Sequence, residues 1–365
     1  MAEERVRHMF PGGNTPLGFY SYYKYIIDPE KANRIFILKG GPGTGKSTIM
    51  KRIGQDLAKQ GYDIEFMHCS SDNNSLDGIV VPNLSVAIFD GTAPHVVDPI
   101  YPGAVDEIIN LGEFWDEEGI IEAKEKIFET SKKIKDCFER AYGYLRAAYE
   151  LMKDTEKVFK QALDRGKEEI FIHDINTELF GTDPPSNVPG KQRCLFASAI
   201  TPKGLSAYLD SLCTGHRVIR LWAPAGCLTK NALESIKNEA VKKGYFTETY
   251  FCPMSPERIE HIVLPELRTS VLTANEYHDI SDINRESVTT YYMNEFLNDS
   301  VILNFKQQLD FNRLYSDTIT QKAVDCIAMA KAFHDELEKY YIKNIDFNQL
   351  NLLREKLMEK ILSYA

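Results

Sequence analysis

Along the first hundred residues, short and almost unbroken apolar runs alternate with amphipathic stretches. Arg34-Ile35-Phe36-Ile37-Leu38-Lys39 predicts a strand over 34–39, and the spacing after it predicts a helix over 47–60 that Gly61 stops. A strand over 63–69 runs into the polar stretch His68-Cys69-Ser70-Ser71-Asp72, and another over 84–89 ends at Asp90. Strands with apolar interiors alternating with helices predict a parallel sheet covered on both faces. Upstream, Thr15-Pro16 reads as the hydroxyl N-cap and the N1 proline of a further helix.

The same pattern returns. Residues 34–98 align without a gap onto 217–281, with identities that include Arg34/Arg217, Leu38/Leu221, Gly43/Gly226, Ile53/Ile236, Glu65/Glu248, Cys69/Cys252 and His95/His278. Upstream, Phe10, Thr15, Pro16, Gly18 and Tyr22 match Phe196, Thr201, Pro202, Gly204 and Tyr208 at a register three residues longer. A whole order of elements repeated in this way reads as a tandem duplication. Behind each copy lies a charged stretch with helical periodicity, through Ile127, Phe138, Leu145 and Met152 in the first, and Phe333, Leu337, Leu353 and Ile361 in the second. These extensions read as an antiparallel helical pair packed on its own domain or on its twin. The breaker-rich Gly181-Thr182-Asp183-Pro184-Pro185-Ser186-Asn187-Val188-Pro189-Gly190 reads as a hinge. The expected organisation is α/β: an N-terminal domain over 1–115, a helical extension over 116–180, a linker over 181–192, a second domain over 193–297 and a C-terminal helical extension over 298–365.

Between the strand at 34–39 and its helix, Gly40-Gly41-Pro42-Gly43-Thr44-Gly45-Lys46-Ser47-Thr48 satisfies G-x-x-x-x-G-K-[ST], the Walker A phosphate-binding loop, without a substitution. Its glycines let backbone N–H groups turn inward around phosphate oxygens, Lys46 reaches the outer phosphates, and Ser47 offers a hydroxyl to Mg²⁺. The helix that follows points its positive end at the same anion. Asp90 at the end of a neighbouring strand fits a metal anchor, and Asp72 fits a group that orients or deprotonates an acceptor, with Asp77 as its rival. Gly12-Gly13-Asn14 could touch nucleotide or simply make a turn. In the second copy, Leu228, Thr229 and Lys230 stand where Gly45, Lys46 and Ser47 stand in the first, and Thr273 replaces Asp90. The second loop therefore reads as degenerate. Cys69 and His95, shared with that copy, read as core residues rather than a nucleophile or metal ligands.

The 365 residues carry a net charge of −10 with no long basic run, which argues against a nucleic-acid surface. A polar N-terminus and the lack of a long apolar run argue against a secretory signal or a membrane span. Seven scattered cysteines without a C-x-x-C pair fit reduced thiols in the cytoplasm.

Across Phe10-Pro11-Gly12-Gly13-Asn14-Thr15, the loop at 40–48, His68-Cys69-Ser70-Ser71-Asp72, Asp90-Gly91-Thr92-Ala93-Pro94-His95 and Phe196-Ala197-Ser198-Ala199-Ile200-Thr201-Pro202, the chain resembles an uncharacterised bacterial family of tandem P-loop ATPase-like proteins. That resemblance implies two P-loop NTPase-like parallel-sheet domains, the second with a degenerate loop, and ATP binding through Gly40 to Thr48. The loop is also similar to that of AAA and RecA-like ATPases, which carry a catalytic glutamate beside the metal aspartate where this chain has Asp90-Gly91. The expected activity is Mg²⁺-dependent ATP hydrolysis at the first loop, slow unless a partner helps, with Lys46, Asp90 and Asp72 as catalytic candidates. Arg193, Arg217 and Lys230 are candidates to act from the second half. A small-molecule kinase acting on a metabolite hydroxyl, and a nucleotide sensor whose helical arms signal to a protein partner, are the alternatives.

Overall fold

A computed structural model describes residues 6–93, 96–182, 184–225, 228–280 and 288–365. The N-terminal half runs β1 (Val6–Met9), β2 (Gly12–Thr15), β3 (Gly18–Ser21), β4 (Arg34–Lys39), α1 (Lys46–Lys59), β5 (Ile64–His68), β6 (Leu76–Val81), β7 (Val86–Asp90) and β8 (Asp106–Asn110), followed by helices α2 (Glu117–Glu122), α3 (Lys124–Ala162) and α4 (Arg165–Phe180). The C-terminal half repeats the order. It runs β9 (Gln192–Leu195), β10 (Ser198–Thr201), β11 (Gly204–Ala207), α5 (Leu209–Cys213), β12 (Arg217–Trp222), α6 (Lys230–Lys242), β13 (Thr247–Cys252), β14 (Ser255–Leu264), β15 (Thr269–Ala274), β16 (Val288–Tyr292), α7 (Asp299–Asn304), α8 (Lys306–Ile342) and α9 (Phe347–Leu362).

The described residues thus form a mixed α/β protein. Each half has a six-stranded sheet, ordered β1-β5-β6-β7-β4-β8 in the first and β16-β12-β15-β14-β13-β9 in the second. The sequence pattern predicts parallel sheets, but these sheets are mixed. β6 runs antiparallel to both β5 and β7, and β14 does the same between β13 and β15. The reason lies in Leu76–Val81: it follows β5 after a short polar turn, too short for a crossover, so the chain doubles back. Its Asp77-Gly78 interrupts the apolar run and hides the strand from a reading of hydrophobicity.

A second correction concerns Thr15-Pro16. No helix starts there; β2 and β3 form a hairpin with Gly12 opposite Ser21. Thr15 Oγ1 accepts the Leu17 N–H at 3.1 Å and donates to Gly18 O at 2.7 Å. The hydroxyl that would cap a helix closes a turn instead, and Gly18 supplies the positive φ of 95° that the turn requires. The hairpin joins its counterpart β10–β11 in a four-stranded antiparallel sheet that crosses the two halves. Just before β2 and β10, Phe10 and Phe196 exchange backbone bonds of 2.9 and 3.0 Å in an antiparallel bridge between the halves.

A buried ionic knot ties β1 and β5 of the first half to β9 and β13 of the second. Arg193 reaches Glu65 at 2.6 Å and Glu248 at 3.2 Å, and Arg7 reaches Glu65 at 3.0 Å and also pairs with Glu248. Burial works to raise the Glu248 carboxyl, but the Arg7 and Arg193 guanidiniums outweigh it and hold the group down to about 2.

The helical extensions are exchanged. α3, 39 residues and roughly 58 Å long, lies antiparallel to α8, with Lys133 against Phe333 at one end and Asn312 donating to Asp154 at the other. Beyond this pair, α4 adds Phe171, Ile175 and Phe180 to the core of the second half, and α9 adds Leu350, Leu357 and Ile361 to the core of the first. Reciprocal backbone bonds fasten each arm to the other half: Asp116 N–H to Asn344 O and Asp346 N–H to Phe114 O on one side, Asp164 N–H to Phe296 O and Asn298 N–H to Ala162 O on the other. Ser186 and Gly190 are pinned to the end of α6, donating to Lys242 O and Val241 O. Among the described residues no helix is long and apolar enough to cross a membrane. His95, and Gly226 and Cys227 of the second loop, lie outside the described residues.

Candidate functional site

The glycine-rich loop leaves the C-terminal end of β4 and enters α1 at Lys46. Gly43 (φ 70°) and Gly45 (φ 81°) hold backbone conformations that side chains resist, so the tight turn into α1 depends on glycine. Thr44 Oγ1 braces the loop by donating to Gly41 O at 2.8 Å. Pro42 is half-buried at the bend, and Thr48 is exposed on the first turn of α1. Lys46 is 9% exposed, and its Nζ donates to Gly40 O at 2.7 Å and Gly41 O at 2.8 Å. Burial pushes the Lys46 ammonium below its ordinary value, against the opposing pull of Asp90 and Glu338. Ser47 Oγ accepts the Leu76 N–H at 2.9 Å, which ties the start of α1 to β6.

Parallel pairing of β4 with β7 sets Asp90 opposite Leu38, at the same sheet end as the loop. Its Oδ2 lies 3.6 Å from Lys46 Nζ, while Oδ1 accepts the Thr92 N–H at 2.8 Å. The Thr92 hydroxyl in turn donates to Gly40 O at 3.0 Å. The structure therefore brings Lys46, Asp90 and the loop glycines into one contact network.

Asp72 sits apart in a turn after β5. It accepts the Asn74 N–H at 2.8 Å and the Ser75 hydroxyl at 2.9 Å, and pairs with Lys331 of α8 at 3.2 Å. Burial acts to raise its carboxyl, yet these bonds and the Lys331 charge prevail and hold it below the usual range. So held, it is a weak proton acceptor. Asp77 is buried in β6, and the Tyr23 phenol and the Cys69 thiol, both driven up by burial first and by this carboxylate next, surround it. Cys69 packs as a buried thiol, as expected. Gly12-Gly13-Asn14 is buried strand, with Asn14 donating to Ser70 O at 3.2 Å and Ile200 O at 3.0 Å and accepting the Tyr142 hydroxyl at 3.1 Å.

What sequence reasoning missed is the lid over the loop. A Cβ on Gly41 would meet Tyr341 at 2.7 Å, one on Gly43 would meet Ile342 at 2.9 Å and Glu338 at 3.1 Å, and one on Gly45 would meet Leu350 at 3.4 Å. The end of α8 and the start of α9 thus lie directly on the glycine-rich backbone. Lys331 pairs with Asp335, and Glu338 follows on the same helix, so one face of α8 sets a row of charges beside the loop. No local signal marks this: an amphipathic stripe says that a helix is covered, not by which half. Arg193, Arg217 and Lys230 do not take this place. Arg193 belongs to the ionic knot, Arg217 pairs with Glu178, and Lys230 pairs with Glu234 at 3.8 Å.

The second half substitutes hydroxyls for the ion pair. Thr273 Oγ1 donates to Thr229 Oγ1 at 2.8 Å at the positions of Asp90 and Lys46, and Leu228 is buried at the position of Gly45.

Comparison with known proteins finds no match among curated proteins and none among solved structures. A family model described as Nephrocystin 3, N-terminal matches residues 21–84, so the chain is similar to that family over β4, the glycine-rich loop, α1 and β5–β6.

Proposed function

We propose that this chain is a P-loop protein of duplicated origin that binds Mg·ATP at Gly40 to Thr48 and hydrolyses it slowly, with the second half as an inactive partner. The observation that carries the reading is the Lys46 arrangement. A buried ammonium at the head of α1 lies 2.7 Å and 2.8 Å from two loop carbonyls and 3.6 Å from Asp90, ready to exchange those contacts for phosphate oxygens. In this reading Gly40, Gly41, Pro42, Gly43, Thr44 and Gly45 supply the backbone cradle. Ser47 and Asp90 hold Mg²⁺, Thr48 continues the helix N-terminus, and Lys46 stabilises charge on the transferred phosphoryl group. No glutamate stands beside Asp90 in sequence, which fits slow turnover.

The lid favours the sensor reading as a companion to this one. Glu338, Tyr341 and Ile342 touch the loop glycines, so nucleotide and α8 compete for the same backbone and the helical arms can report occupancy to a protein partner. The kinase reading draws less support, because the turn and Lys331 already claim Asp72. The deciding experiment follows labelled γ-phosphate from ATP with and without pooled metabolites. Free phosphate alone supports hydrolysis, phosphate on a metabolite supports the kinase, and tight binding without turnover supports the sensor. Absence of ATP binding overturns all three.

A further inference from the structure

Glu260, His261 and His278 of the second half form a cluster that the nucleotide reading does not use. Glu260 and His261 are neighbours on β14, and neighbours on a regular strand point to opposite faces. A β-bulge removes that constraint: Tyr250 pairs with His261 but Phe251 pairs with Ile259, leaving Glu260 as the extra residue. The third member comes from the loop after β15, where Asn275 N–H donates to His278 O at 3.0 Å and Asn275 Oδ1 accepts the His278 N–H at 3.3 Å.

The three side chains converge. Glu260 Oε2 lies 3.7 Å from His261 Nε2 and Oε1 lies 3.7 Å from His278 Nε2, with side chains 7%, 0% and 7% exposed. These separations exceed a hydrogen bond. They approach the roughly 3.4 Å between donors on a tetrahedral ion with bonds of about 2.0–2.1 Å. The imidazoles stand edge to face, at 73° and 5.4 Å, rather than stacked. Both ring nitrogens of each histidine, and Glu260 Oε2, find no hydrogen-bond partner among the described residues. Each such buried atom costs about 1–3 kcal/mol when unpaired, so a converging set calls for an ion. Lone pairs of buried imidazole nitrogens and a carboxylate all seek the same thing, a cation.

The first half supplies a control. It has the same bulge, with Met67 opposite Gly78 and His68 opposite Leu76, and Asp77 as the extra residue. Where the second half has His261, the first has Gly78. The acid on the bulge is common to both halves, and the imidazole beside it is not.

We propose that Glu260, His261 and His278 bind one divalent transition-metal ion of the zinc class, a structural site that fastens the loop after β15 to β14. Two imidazoles and a carboxylate leave a position for a further ligand. Glu260 borders a small cavity with Arg258, Thr229, Thr273 and Asn275 from which that ligand can come.

The test uses the full chain, stripped with chelator and dialysed against Zn²⁺ or Co²⁺. The expected result is one equivalent of metal retained and an intense tetrahedral Co²⁺ spectrum, with affinity falling about tenfold or more in His261→Ala and His278→Ala. His334→Ala, in the partly exposed His334-Asp335-Glu338 group, should leave uptake unchanged. Failure of the wild type to retain stoichiometric metal, or retention in the His261→Ala/His278→Ala double variant, overturns the proposal. If those variants do not fold, X-ray absorption on the zinc-loaded wild type decides: two imidazole nitrogens support the site, and a shell without imidazole sinks it.

Discussion

The loop after β4 and the loop after β12 sit at the same place in the same order of elements, yet one holds an ion pair and the other two hydroxyls. Lys46 and Asp90 lie 3.6 Å apart in the first, and Thr229 and Thr273 lie 2.8 Å apart in the second. Losing Lys46 alone would leave a carboxylate in a partly buried site, and losing Asp90 alone would leave a buried ammonium. The second half avoids both outcomes because both positions differ together. The difference teaches that this pair is not needed to hold the fold, since β12, β15 and α6 form without it. What the first half keeps beyond the fold is charge, and charge is what phosphate recognition uses.

The comparison can be broken most severely at the seam that both halves share. Arg193→Leu leaves Glu65 and Glu248 short of a partner and should destabilise the protein by about 3–5 kcal/mol, measured by chemical denaturation. Arg7→Leu should cost less, because its side chain is 26% exposed against 13% for Arg193. Equal costs would mean that the knot is not graded by burial. Acid should act on the same knot. A carboxyl held at about 2 rather than its ordinary 4.5 contributes stability above 4.5, which is lost as pH falls from there toward 2. Thermal midpoints should decline across that window, with a shallower slope in Glu248→Gln.

At the loops the expected asymmetry is large. Lys46→Ala should weaken Mg·ATP binding by about 2–5 kcal/mol in calorimetry, and Thr229→Ala should leave it unchanged. Normal affinity in the Lys46 variant would remove the basis of the proposed function. A double-mutant cycle sharpens the pairing. Thr229→Lys and Thr273→Asp should each destabilise the second half, and together recover about 0.5–3 kcal/mol of the sum. Strict additivity would show that the two positions are independent. The smallest effect concerns the lid: Glu338→Gln removes an anion that pulls on Lys46 and should tighten ATP binding about fivefold, or about 1 kcal/mol.

How much of this was legible in the chain follows from what each signal encodes. β4, the loop and α1 were plain, because an apolar run, glycines and helical spacing are local, and the structure places them at Arg34–Lys39 and Lys46–Lys59. The antiparallel β6 was hidden by Asp77-Gly78, which sits on a bulge and breaks the apolar pattern. Thr15-Pro16 misled because a hydroxyl followed by proline serves a helix cap and a tight turn equally well. The lid over Gly41 and Gly43 was out of reach: the stripe through Phe333, Leu337, Leu353 and Ile361 says that a helix is covered, and no stripe names its cover. The cluster at Glu260 was hidden for a related reason, since adjacent strand residues are read as facing apart unless a bulge is known.

The exchange of arms bears on how the molecule is made. Arg354 of α9 meets Asp56 of α1 across 298 residues of chain. At a synthesis rate of about 5–20 residues per second, α1 waits roughly 15–60 s after leaving the ribosome before the helix that covers it exists. During that interval Ile49, Ile53 and Leu57 lack the apolar surface of Leu350, Leu357 and Ile361. The N-terminal half is thus born with an open flank, and a helix translated some 298 residues later completes the first domain.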